Sequence, residues 1–383
     1  MGPPKGGGDN APIMMIHLLS TLQSAAAIIF TFGLVIFLHE SGHFFVCRRL
    51  GVRVEKFAFG MGPELFGVTD KKGTHFAVCA LPLGGYVKPA GEDVFEGTGK
   101  PDEYFSQSWQ RRVAIVMAGP IMNYVLAFCV FTGLIFFKGE IKPSSKPIIG
   151  DMLENYPAAQ AGLKIGDVID SINGAKIFTW KEMADMVHQD SGKPVELTYS
   201  RGDASATIQI VPKKDPQTGY GVIGIVPETM TQKLGFFASA KAGAKQCWDI
   251  TALTVKTLYV KIAKRERPDL AGPVGIMQMV SKAAHSGVDD LFFLIGLISV
   301  AIGFFNFLPV PLLDGGHAAL YLWEGISGKK LTQGLIEATN KVGIVFLVSL
   351  LLFATYNDIL RLRGKSSSTL VHAASATAPA SQK

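Results

Sequence analysis

Residues 25–38 are an uncharged, apolar run that leads straight into His39-Glu40-Ser41-Gly42-His43. In lipid a lone segment satisfies its own backbone hydrogen bonds only as a helix. The stretch 16–47 exceeds the roughly 20 residues that a crossing needs. Whatever else the chain builds, it must accommodate a membrane-length helix with ionisable groups near one end. Histidines four positions apart lie on one helical face, so both rings reach one metal. The carboxylate between them falls beside the metal's open position, where it takes a proton from water. Ionisable side chains at membrane depth are costly and default to function.

Three further stretches have membrane-span character: 113–137, 291–317 and 342–361. A buried core helix is the alternative reading of each. The second carries Gly119-Pro120 and Asn123, and the fourth carries Asn357 and Asp358. Composition agrees with a mixture of spans and soluble insert, at 48% hydrophobic and 18% charged. The net charge of +6 is spread out, with no basic, aromatic-interleaved patch of the kind that binds nucleic acid. Basic residues crowd instead into 48–112, among them Arg48, Arg49, Arg111 and Arg112. The positive-inside rule makes that loop cytoplasmic and the segment after the second span extracytoplasmic. The four cysteines have no CxxC spacing and read as neither ligands nor a disulfide framework.

A metal hydrolase needs a third protein ligand. Asp314 is the candidate, in Asn306-Phe-Leu-Pro-Val-Pro-Leu-Leu-Asp-Gly-Gly-His317 at the end of the third apolar stretch. Pro309 and Pro311 break regular helix there, and Gly315-Gly316 allow close backbone approach. His317 remains open as an alternative ligand or a support for one. Between 57 and 89, two apolar β-prone arms flank a polar tip, Asp70-Lys-Lys-Gly73, which predicts a hairpin.

From 146 to 213 the sequence turns soluble, with strands expected near 147–153, 195–200 and 206–211 and a helix at 180–188. Pro157-Ala-Ala-Gln-Ala-Gly-Leu163, then Gly166-Asp-Val-Ile169, then Ile172-Asn-Gly174 resemble a bacterial, permuted PDZ domain. Such domains bind peptide, often a C-terminus, by strand addition; a steric gate is the other reading. Residues 221–227 read as following this domain, within a linker and amphipathic helices spanning 214–290, lying along the membrane surface. The tails 1–15 and 364–383 are expected to be disordered.

HExxH, NxxPxPxLDGG, the PDZ insert and Gly-Pro-x-x-Asn together resemble the site-2 protease family, most of all the bacterial regulator-of-sigma-E proteases. The chain departs from the tandem PDZ pair that many members carry. The resemblance implies a polytopic α-helical membrane protein of about four transmembrane helices, with a re-entrant β-hairpin and an inserted α/β PDZ domain. A small cytoplasmic sheet is the other reading of the hairpin. It implies an intramembrane zinc (Zn2+) metalloprotease of the bacterial inner membrane, its active site near the cytoplasmic side and its PDZ domain periplasmic. His39, His43 and Asp314 would hold zinc, and Glu40 would act as general base and then acid. Substrates would be transmembrane proteins, anti-sigma-factor-like, trimmed beforehand outside; peptide C-termini at the PDZ domain and the lipid bilayer are the other partners. Asn306 would bind substrate backbone or the oxyanion. The hairpin edge at Gly84, Gly85, Tyr86 and Val87 would pair with an unwound substrate strand. Asn123 is a further candidate, with helix packing as its other reading. The competing function is a catalytically silent PDZ membrane scaffold.

Overall fold

The computed structural model describes residues 10–92, 97–215, 219–264 and 272–376, with side chains left aside at 10–13, 82, 83, 333 and 361–376. The chain divides into two units, residues 1–134 with 240–383, and 135–239.

The first unit opens with helix α1 (Asn10–Leu50), strands β1 (Val54–Thr69) and β2 (His75–Pro89), and helix α2 (Trp109–Lys138). Among the described residues, four helices have the length and apolarity to cross a membrane: Met14–Leu50, Trp109–Lys138, Val288–Phe307 and Gly334–Leu360. Their contacts include small and polar groups, favoured in lipid because tails are as apolar as leucine, beside apolar ones such as Val35, Leu126 and Ile295. Gly42 of α1 sits against the Ala118 carbonyl of α2, where an added Cβ would come within 2.3 Å. Arg112 is 4% exposed and donates to Glu324 at 2.5 Å, with its guanidinium 4.6 Å from the Tyr321 ring.

The hairpin forms around the expected 70–73 tip, but each long strand folds back at its middle. Residues 54–59 pair with 85–89 on one side and 75–78 on the other, and 66–69 complete the order. Among the described residues, segment 85–89 pairs with one strand and is therefore an edge of the hairpin sheet.

The second unit comprises β3 (Glu140–Pro143), β4 (Ile149–Met152), α3 (Pro157–Gln160), β5 (Val168–Ile172), β6 (Ala175–Lys176), α4 (Trp180–Gln189), β7 (Val195–Arg201), β8 (Ala204–Ile210), β9 (Lys213–Lys214), β10 (Gly221–Val222), β11 (Ile225–Pro227) and β12 (Thr229–Gln232). Its main sheet runs β6-β5-β7-β8. Alternation along β7 buries Val195, Leu197 and Tyr199 over Ile169, Ile172 and Met183. Helix α4 starts with a capping box between Thr179 and Glu182. Segment 221–227 is not a linker: β11 pairs with β4, and Ile223 is buried in the same core. The boundary expected at 213 therefore moves outward, because the partner of β4 comes from beyond it.

The chain continues through α5 (Phe236–Ala263), α6 (Pro273–Ser286), α7 (Val288–Phe307), α8 (Asp314–Ser327) and α9 (Gln333–Ala376). Three expectations are corrected here. The stretch 291–317 is not one helix: α7 stops at Phe307, and after Pro309 and Pro311 Asp314 opens α8. Residues 364–376, expected as disordered tail, continue α9, and 377–383 lie outside the described residues. Residues 10–15 likewise belong to α1, while 1–9 lie outside the described residues. Asp358 on α9 is 3% exposed and accepts from the backbone N–H of Gly272 (3.0 Å) and Gly275 (2.9 Å). It thereby caps the positive end of α6.

Candidate metal centre

The spacing of His39 and His43 puts both imidazoles on the face of α1 turned to α2. Gly119 makes room for them: a Cβ there would lie 2.3 Å from His43 Nε2. Asp314 reaches the same point from the first turn of α8. Its Oδ2 is 3.1 Å from His39 Nε2, its Oδ1 is 3.6 Å from His43 Nε2, and the two Nε2 atoms are 3.3 Å apart. Leu312, two residues earlier, holds φ at 70°, a costly left-handed conformation that turns the chain into α8.

The ring tautomers follow from the outer nitrogens. His43 Nδ1 lies 2.8 Å from the Ile115 carbonyl and must donate to it, which leaves the Nε2 lone pair pointing inward. His39 Nδ1 lies 3.1 Å from the Asn123 amide nitrogen, while Asn123 Oδ1 is buried without a partner. Turning the amide over pairs that oxygen with the Nδ1–H and satisfies both groups. Asn123 is itself fully buried, and its backbone carbonyl accepts from Ser299 Oγ at 2.8 Å.

Two imidazole lone pairs and a carboxylate thus converge, and Asp314 Oδ2 is buried without a hydrogen-bond partner. Tetrahedral zinc with bonds of about 2.0–2.1 Å holds its ligands about 3.3 Å apart. The observed donor separations bracket that value, so the residues fit zinc. Among the described residues this is the only cluster of three or more metal-type donors.

The donors line a cavity of ≈ 830 Å³. Glu40 faces it, with the Val87 backbone N–H hydrogen-bonded to its carboxylate. Tyr86, Val87 and Lys88 of the edge segment form one wall, and His317 and Tyr321 of α8 another. A Cβ on Gly85 would lie 3.6 Å from Glu40 Cγ, so the edge passes directly beside the glutamate. Gly84 sits one residue further out, against Met61. His317 is in the cavity wall but outside the three-donor cluster, its ring stacked 6.4 Å from Tyr321.

Asn306 is not brought to the cavity wall; its Nδ2 donates back to the Ile302 carbonyl of its own helix at 3.0 Å. The wall instead contains Glu337 and Asn340 of α9, which fall outside a fourth span begun at 342 and so drew no attention in the sequence. The available signal was the same as at HExxH: polar residues at the margin of an apolar stretch.

Comparison with known proteins bears on the whole of this arrangement. The model of peptidase family M50 matches residues 27–350. A protein of Clostridium acetobutylicum is 33% identical over 337 residues, covering 87% of this chain and 96% of its own length. One from Campylobacter jejuni is 34% identical, covering 88% and 94%. Both are named "putative zinc metalloprotease". Among solved structures, the PDZ domain of an SdrC-like protein from Listeria monocytogenes is 26% identical over 22% of this chain and 88% of that domain, with a TM-score of 0.20. With Asp314 meeting HExxH of a membrane-length helix at a zinc-sized point, and with a family match across most of its length, the chain belongs to peptidase family M50 and is a zinc metalloprotease.

Proposed function

We propose that this protein cleaves the transmembrane segments of single-span membrane proteins, within or at the edge of the bilayer. The observation that carries the reading is that His39, Glu40 and His43 lie on a helix of membrane-crossing length, with Asp314 brought to them and a strand edge passing beside Glu40. A substrate helix keeps its carbonyls in internal hydrogen bonds and must unwind before attack. An unwound segment needs new partners, and segment 85–89 presents a strand edge beside Glu40 to which it can add. Exposed Met61, Leu65, Phe66 and Val68 on the hairpin support its re-entrant placement.

Zinc held by His39, His43 and Asp314 supplies Lewis-acid polarisation when bound. Glu40 takes the proton of the attacking water at its carboxylate and returns it to the departing amine. Asn123 keeps His39 oriented and Ile115 does the same for His43. Asn306 acts in this reading as a packing residue of α7. By the charge pattern, the site lies toward the cytoplasmic side of a bacterial inner membrane and the PDZ-like unit is periplasmic. Substrates are anti-sigma-factor-like proteins already trimmed outside, and the PDZ-like unit receives the new C-terminus.

The test is cleavage of tagged single-span proteins in proteoliposomes, comparing wild type with Glu40→Gln and quantifying zinc in both. Wild type should cut inside the span, and the variant should keep zinc while losing about 10²–10⁴-fold in rate. A zinc-loaded wild type that leaves a broad panel intact, or cuts only outside the spans, refutes the reading.

A further inference from the structure

A strand laid along segment 85–89 pairs one of its edges and exposes the other. Each backbone group left dry and unpaired on that second edge is costly. A further wall of the cavity is α9, which packs on the loop before Asp314. At Gly343 a Cβ would lie 2.8 Å from Leu312 Cγ and 2.9 Å from the Pro311 carbonyl carbon, so the loop and its Leu312 side chain pack closely on this face of the helix. Asn340 stands three residues earlier, on the same face of α9. It lines the cavity together with Leu312, and its Oδ1 is buried with no hydrogen-bond partner among the described residues. It lies within the apolar span Gly334–Leu360, where an unpaired amide is costly. A carboxamide carries both a donor and an acceptor, the complement of one residue's C=O and N–H.

We infer that Asn340 is a substrate-binding residue that takes the outer backbone edge of the unwound segment, which is thereby held between segment 85–89 and α9. The inference rests on the cleavage reading above and adds a second wall to it. It assigns to Asn340 the amide role for which Asn306, bonded within its own helix, is not placed.

The experiment has two arms. Kinetics in proteoliposomes compare wild type, Asn340→Leu and Asn340→Gln. The leucine variant should raise KM about 10-fold, the worth of one hydrogen bond of about 1.4 kcal/mol. Its kcat, zinc content and thermal midpoint should stay near wild type, and glutamine should restore part of the KM. An unchanged KM overturns the inference, as does a leucine variant that loses zinc or stability, because that marks a structural amide. The second arm uses Glu40→Gln protein with its native cysteines replaced and a cysteine at position 340. Disulfide trapping against cysteines scanned along the substrate span should peak at alternate positions, the period of an extended strand. Peaks three and four apart, or no trapping from a substrate that still co-purifies, overturn the inference while leaving cleavage itself intact. Absence of intramembrane cleavage by wild type removes the cleavage reading and this inference with it.

Discussion

The inserted unit buries Ile169, Ile172 and Leu197 and keeps most of its charges outside, whereas the four-span unit buries Asn123, Ser299 and Asp358 and exposes Val345 and Leu352. Each has a core, but opposite forces hold it. Water drives the apolar side chains of the inserted unit together. Lipid gives no such drive, so the spanning helices meet through close contacts such as Gly42 on Ala118 and through polar bonds such as Ser299 to Asn123. The difference teaches where to look for chemistry. In the inserted unit a buried polar group, Asp167, is fully matched by Arg201 and a backbone N–H, and is structural. In the spanning unit, among the side chains with a buried polar atom that meets no partner in the described residues, Asp314 and Asn340 line the site cavity and Asn123 lies against His39, while Thr31, Arg112 and Thr132 are outside its wall.

That contrast can be broken by substitution. The largest effect is expected from Gly119→Ala, which drives a methyl into His43 Nε2. Zinc content and proteolysis should both collapse while the inserted unit melts as before; retained zinc would show that the helices shift freely. Next is Ile169→Ala in the inserted unit, which should lower its stability by about 2–5 kcal/mol in hydrogen exchange. Its zinc content should not change, and a loss of zinc would show the two cores to be coupled. Asn123→Leu should reduce zinc affinity or activity by about 10–100-fold, because His39 loses the acceptor that fixes its tautomer. An effect below about twofold would reduce Asn123 to helix packing.

The smallest effect is a slope in pH. Burial alone would raise the Asp167 carboxyl, but the paired hydrogen bonds from Arg201 and the Lys164 N–H hold it below its usual 3.8. A carboxyl whose pKa falls on folding contributes stability above its unfolded pKa and loses it as pH drops through the folded one. The inserted unit should therefore weaken below about pH 4, and Asp167→Asn should flatten that slope. An unchanged slope would assign the acid sensitivity elsewhere.

Much of this was legible in the sequence because it is local. The i,i+4 histidines, the apolar runs, the 70–73 turn and the alternation of 195–200 each state their geometry within a few residues. Asp314 was legible because a carboxylate at membrane depth is too costly to keep unless something binds it, and the prolines beside it open the helix for a ligand. What the sequence hid is what depends on distant pairing. Nothing near Ile225 says that it pairs with Met152. Nothing near Lys56 says that it faces both Lys88 and His75, so the doubling of the hairpin went unread. Pro309 and Pro311 announced a break, yet not that Asp314 would start a new helix. Asn340 escaped because apolarity alone set the edge of the fourth span, and the amide's significance lies in the cavity it faces.

The edge at 85–89 has one more consequence. A wall that touches only main chain is blind to side-chain identity, since every residue except proline presents the same amide and carbonyl. Preference among clients then passes from what a segment spells to how cheaply it comes apart. Replacing alanine by glycine in a helix interior lowers its stability by about 1 kcal/mol, about a fivefold change in the open population. Such an enzyme would sort its clients by brittleness, and two unrelated spans with equally weak turns would be equivalent to it.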